Sequence, residues 1–166
     1  ADIMGVYTVA DDSRVHMAAG LGVHAELIQS LFPIPLEGSA TELTMLSGRV
    51  VAYANVLEGD GVPFGLRKLA QRIGHNYALA QAPMMWRGKG IGAVNAARFD
   101  MRPFSAKECS LLDAFANQAV VAIQNARLFR EAQEARAAAE AANEANFFFN
   151  ATATTEIYTP MNAVIG

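Results

Sequence analysis

The stretch LLDAFANQAVVAIQNARLF, Leu111 to Phe129, decides how the rest of the chain is read. Leu112, Phe115, Ala119, Ala122, Ile123 and Ala126 recur at helical spacing and make a broad apolar stripe of the kind that packs on a sheet or another helix. No Gly or Pro stands between Ser105 and Thr159. One continuous helix of about 40–45 residues is therefore predicted, roughly 60–70 Å at 1.5 Å per residue, longer than packing one domain requires.

Beyond Arg130 the helix changes character. EAQEARAAAEAANEAN has strong helix propensity and little to bury. Leu128, Ala132, Ala135, Ala139 and Ala142 recur at steps of four and three, and Phe149 continues that register past Asn146. This is a heptad seam, and it predicts a homodimeric coiled coil. The alternative is a single solvated helix held by charge pairs such as Glu131/Arg136, but an isolated helix frays. Phe147-Phe148-Phe149 reads as a plug in the dimer seam, since no basic face accompanies it to suit a membrane surface.

Toward the N-terminus the texture is of short strands and short helices. Ile3–Val9 and Arg14–Ala19 flank the turn residues Ala10-Asp11-Asp12-Ser13 as a hairpin, which Gly20 and Gly22 are expected to end. His24–Leu31 has helical spacing, and Phe32-Pro33-Ile34-Pro35 must be extended. Ser39 with Glu42 predicts a capped helix that stops at Gly48. A strand over Arg49–Ala54, a loop over Asn55–Val62 and an amphipathic helix over Phe64–Ile73 follow. Asn76–Met85 and Lys89–Phe99 are two strands joined through Trp86-Arg87-Gly88, and their apolar content places both centrally in the sheet. Gly90 and Gly92 allow close backbone approach there.

Composition narrows the function. Of 166 residues 52% are hydrophobic and 17% charged, enough to bury a core, and the net charge of −3 comes without a basic block. A nucleic-acid partner is therefore not expected. The single cysteine, Cys109, rules out an internal disulfide and any multi-Cys metal site. His16, His24 and His75 are too scattered for a metal centre. No apolar run reaches the roughly 18 residues of a membrane span, and the N-terminus lacks signal-peptide character. A cytoplasmic protein is the expectation.

Several of these stretches resemble one family. Ala82-Pro83-Met84 followed by Gly88-Lys89-Gly90-Ile91-Gly92-Ala93-Val94, then Pro103-Phe104-Ser105 and the Leu111–Phe129 helix, are similar to the strand pair and closing helix of GAF domains. Gly38-Ser39-Ala40 through Gly48-Arg49-Val50-Val51 resembles that family's central helix and following strand. The resemblance covers residues 1 to about 130. It implies an α+β sandwich, with a central antiparallel sheet, helices on one face and a small-molecule-sized pocket on the other, extended here by the long C-terminal helix.

The tail carries a second resemblance. Glu156, Ile157, Thr159, Pro160 and Asn162, with Thr154 in place of a Ser, resemble the start of the dimerisation and phosphoacceptor helix of bacterial sensor and hybrid histidine kinases. Thr155 stands at the phosphoacceptor His position and Tyr158 at that of an Arg. A hydroxyl has no ring nitrogen to form a phosphoramidate. No glycine-rich phosphate loop is present either, so this chain is not expected to be an enzyme by itself. The organisation implied is a sensory domain over 1–129, a signalling helix over 130–150 and a degenerate phosphoacceptor start over 151–166. Its kinase catalytic domain would belong to the parent protein.

Candidate ligand-binding positions are Tyr53, Leu69, His75, Tyr77 and Asn95, a mixed apolar and hydrogen-bonding set. The competing reading makes all five plain core or surface positions around a collapsed pocket. The sequence leaves the cofactor unknown. Cyclic-nucleotide-binding GAF domains carry Asn-Lys, then Phe, three residues, Asp-Glu. Here Asn95 and Phe104 match, but Ala96, Glu108 and Cys109 take the other places, so the motif's Lys–Asp ion pair is not expected to form. Cys109 is read as a structural thiol. Three other functions remain: a ligand-free dimerisation module, a free-standing GAF enzyme such as the methionine-sulfoxide reductases, which use several reactive cysteines, and a cyclic-nucleotide-binding domain with the altered motif.

Overall fold

The computed structural model describes the backbone of residues 1–165 and side chains through Ala153. Strands β1 (Ile3–Val9), β2 (Arg14–Gly22), β3 (Ile34–Pro35), β4 (Val51–Tyr53), β5 (Ala78–Trp86) and β6 (Lys89–Arg98) form one antiparallel sheet in the order β3-β2-β1-β6-β5-β4. Helices α1 (Ala25–Ser30), α2 (Ala40–Ser47) and α3 (Phe64–Ile73) lie between strands, and α4 (Ala106–Ile165) closes the chain. The helix predicted from the absence of Gly and Pro is thus longer than expected, at 60 residues.

Local signals set most of the limits. Ser39 Oγ accepts from Glu42 N at 3.1 Å, while Glu42 reaches back to Gly38 N at 2.7 Å, and Gly48 ends α2 in the left-handed region. Gly74 ends α3 in the same way. In the β5–β6 hairpin Arg87 and Gly88 both have positive φ, the geometry that matches strand twist.

Two expectations are corrected. Gly20 and Gly22 do not end the first hairpin: β2 runs on to Gly22, which still pairs with Ile3. A Cβ at Gly22 would stand 2.0 Å from the Asp2 carbonyl, so the glycine is there for close approach. Nor are β5 and β6 both central. The middle pair is β1 and β6, because β1 bonds β2 on one side and β6 on the other. Gly92 makes that pairing possible, since a Cβ there would lie 2.0 Å from the Tyr7 carbonyl.

The chain divides into two compact units, residues 1–122 and Ile123 onward. In the first, Ile3, Ile28, Val56, Leu66, Ala70, Ile73, Tyr77 and Leu79 form the core. The first turns of α4 bury Leu112, Ala116 and Val120, four residues apart, and leave Leu111, Phe115 and Val121 exposed. Of the stripe read from sequence, Leu112 is buried and Ala119 and Ile123 are half-buried, while Phe115, Ala122 and Ala126 are on the open side. In the second unit every side chain from Asn125 to Thr152 is exposed. The expected Glu131/Arg136 pair does not form within the helix. Five residues put two side chains about 140° apart around the axis, and each instead bonds four residues away, Arg127–Glu131 at 2.7 Å and Arg136–Glu140 at 2.8 Å.

Candidate functional site

Alternation along β1, β5 and β6 brings one set of side chains to a single face. Asn95 pairs with Gly5 on one side and Gln81 on the other, and Ala97 pairs with Ile3 and Leu79. Ile3, Tyr7, Leu79, Gln81, Asn95 and Ala97 floor a cavity of about 50 Å³, roofed by Ile28 of α1, Phe32, Ala40 and Thr41 of α2, and Leu66, Leu69 and Ile73 of α3. That is room for a few water molecules. Among the described residues, no Asp, Glu, Lys, Arg or His lines it.

Polar groups are few and placed with care. Gln81 is held from both ends across to α2: its Nε2 donates to Thr41 Oγ1 and its Oε1 accepts from Thr44 Oγ1, each at 3.2 Å. Asn95 Nδ2 donates to the Tyr7 hydroxyl at 3.4 Å, and Asn95 Oδ1 is buried with no partner among the described residues. Turning the amide over exchanges the two ends but still leaves one unmatched. Gly5 makes the arrangement possible: the Tyr7 ring leans back over it, and a Cβ there would meet Tyr7 Cε2 at 2.7 Å and Asn95 Oδ1 at 2.9 Å. Burial pushes the Tyr7 hydroxyl up to about 12, against a smaller lowering by Asn95. Tyr77 is raised further, first by burial and then by Tyr7. Both phenols are neutral hydrogen-bonding groups at physiological pH.

Of the five positions predicted from sequence, Leu69, Tyr77 and Asn95 line this cavity. Tyr53 and His75 do not, which corrects their placement. Tyr53 is half-buried on the edge strand β4, paired with Leu79. His75 precedes the first residue of β5 and lies exposed, stacked on His24 at 5.7 Å and edge-on to Phe99 at 5.6 Å. Sequence reasoning missed Tyr7 and Gln81. The alternation Ile3, Gly5, Tyr7 was a usable signal for the first, and a glutamine inside the apolar run of β5 for the second.

Across the sheet, Arg98 is only 5% exposed, and its Nη2 lies 2.6 Å from Glu108 Oε1. The guanidinium packs over the Phe104 ring at 3.9 Å. Glu108 Oε2 accepts from Ser105 N and Oγ at 2.8 and 2.9 Å, so the carboxylate also caps α4. Arg98, then the Ser105 donors, hold Glu108 down at about 2. The missing Lys–Asp pair of the nucleotide-binding motif thus has a counterpart, supplied by Arg98, two residues along and on the same strand face as Ala96. The Cys109 thiol is pushed up by burial and by Glu108, the opposite of nucleophile activation.

The side chain of Thr155 lies outside the described residues. Among the described residues, no group of three or more His, Cys, Asp or Glu is placed to hold a metal ion, and no helix is long and apolar enough to cross a membrane.

The family model described as GAF domain matches residues 1–123. Among solved structures, that of a GAF domain/HD domain protein from Geobacter sulfurreducens is similar at 22% identity and TM-score 0.61, over 76% of this chain and 82% of that one. The GAF domain of a phosphoenolpyruvate-protein phosphotransferase from Coxiella burnetii aligns at 14% identity and TM-score 0.65, over 79% and 76%. A domain of a protein assigned as a two-component sensor histidine kinase, from Sinorhizobium meliloti 1021, aligns at 19% identity and TM-score 0.58, over 76% and 81%. No curated protein matches the chain significantly.

Proposed function

The chain belongs to the GAF domain family, and on that premise we propose that it is the sensory module of a cytoplasmic two-component histidine kinase. In this reading a small uncharged molecule enters the cavity above Asn95 and biases the pairing of α4 in a homodimer, and the change passes along the helix to a kinase output. The observation that carries the ligand half is the Asn95 amide, buried on the cavity floor with one end unmatched. Leaving such a group unpaired costs stability, and a bound hydrogen-bonding partner recovers it. The absence of charged lining residues selects against phosphates and carboxylates, which would be desolvated there without a counter-charge.

The kinase half rests on the tail. Thr154, Glu156, Ile157, Thr159, Pro160 and Asn162 stand in the phosphoacceptor-helix pattern, with Thr155 in place of the His. The chain then acts as regulator, and phosphate transfer belongs to other domains of the parent protein or to another protein of the same phosphorelay. A thermal-shift screen of uncharged metabolites on the wild-type chain and on Tyr77→Ala tests the ligand site. A compound that stabilises only the wild type supports it. A compound that stabilises both equally places the site elsewhere.

One observation favours a second reading. At about 50 Å³ the cavity is small, which suits a ligand-free dimerisation module whose GAF core is merely structural. In that case no uncharged compound shifts the melting temperature.

A further inference from the structure

We infer that α4 pairs with a second copy of the chain in parallel and in register, and that Asn125, Glu131, Arg136 and Asn146 are the residues that fix this pairing. The inference rests on the dimer reading above and adds which residues set its geometry.

In the second unit the seam is uncovered: Leu128 is 63% and Phe149 74% exposed, and the alanines between them are open as well. Leu128, Ala135, Ala142 and Phe149 fall seven apart on one heptad position, and all are apolar. The other seam position reads Asn125, Ala132, Ala139, Asn146. Four alanine layers and a leucine bury little area, so attraction alone discriminates poorly among alignments. The asparagines do discriminate. In a parallel, in-register pair each faces its own copy, and the two amides hydrogen-bond across the axis. A slip of one heptad sets Asn125 against Ala132 and Asn146 against Ala139, burying both amides unmatched. An antiparallel pair sets them against the apolar position instead.

The flanking charges give the same answer independently. Glu131 and Arg136 are five residues apart, the spacing at which the g position of one helix meets the following e position of a parallel partner. Within one chain they do not meet; they bond Arg127 and Glu140. A carboxylate accepts more than one bond, so Glu131 can hold Arg127 and the partner's Arg136 together.

The test uses the full chain in a Cys109→Ser background. Ala132→Cys and Ala142→Cys are introduced singly and mixed under mild oxidation. Same-position disulfides are expected. Links from 132 to 142 would overturn the inference while leaving a dimer standing, and a chain that sediments as a monomer at tens of micromolar would overturn both. Glu131→Arg or Arg136→Glu alone should raise the dimer dissociation constant about three- to thirty-fold, since two symmetry-related pairs become repulsive. The double reversal in one chain should restore the cross-helix pairs and bind more tightly than either single change, short of the parent because Arg127 and Glu140 then face like charges in their own helix. If the charges act only within their own helix, the double reversal is worse than either single change, because the introduced arginine then faces Arg127 and the introduced glutamate faces Glu140. That result would overturn the charge assignment. Asn125→Leu with Asn146→Leu should tighten the dimer and scatter its disulfide pattern; an unchanged pattern would show that the asparagines do not set register.

Discussion

Arg98 and Glu108 join the last residue of β6 to the first turn of α4 through a 2.6 Å ion pair, with the cation almost wholly buried and the anion at the surface. The strand that carries Asn95 on the cavity face therefore carries, three residues later, the anchor of α4 on the other.

That anchor has a pH signature. Glu108 sits at about 2 in the folded chain against an ordinary 4.5. A lowered carboxyl contributes stability above its unfolded value, and the contribution is lost as pH falls from about 4.5 toward 2. Glu108→Gln should lower the melting temperature at pH 7 and flatten the acid limb of the stability curve in that window. Melting curves from pH 2 to 7 on both proteins check it; identical acid limbs would remove the ion pair from the account.

Gly5 holds the floor of the cavity open for Tyr7. Gly5→Ala should cost about 1–3 kcal/mol, as overpacking does, because the new methyl meets the Tyr7 ring and Asn95 Oδ1. Urea unfolding measures the loss, and any ligand found for the wild type should bind this variant more weakly.

The buried phenol of Tyr7 predicts an alkaline limb as well. Its value is raised from 10.0 to about 12, so its stabilising share is complete below pH 10 and lost as pH rises toward 12. Tyr7→Phe should be less sensitive than the wild type over that range, followed by circular dichroism at fixed denaturant.

Thr155 makes a chemical prediction. Incubation with ATP and a histidine kinase catalytic domain should leave no acid-labile phosphate on the chain, since a hydroxyl forms an ester and not a phosphoramidate. An acid-labile label would show that another residue is the acceptor.

Much of the fold was legible because its signals are local. Ser39, Gly48 and Gly74 bound their helices as read, and the Arg87-Gly88 turn closed its hairpin. What failed depended on partners distant in sequence. Gly20 and Gly22 look like breakers until Asp2 and Met4 are seen beside them. In the site, Tyr77 and Asn95 were legible from strand alternation, whereas Tyr7 joins them only through the β1–β6 register across 88 residues. His75 was misplaced because β5 begins at Ala78, three residues beyond it. Arg98 was overlooked because the motif was read by position in the sequence, and a strand face repeats every second residue.

The central claim is that occupancy of the cavity and pairing of α4 are coupled, and linkage makes that coupling reciprocal. The most direct measurement is the dimer dissociation constant by sedimentation equilibrium, with and without a saturating amount of a compound that stabilises the wild type but not Tyr77→Ala. The account predicts a change of about five-fold or more, in line with ordinary coupling energies, and none in Tyr77→Ala. A wild-type dimer constant unmoved by a compound bound in the cavity would contradict it.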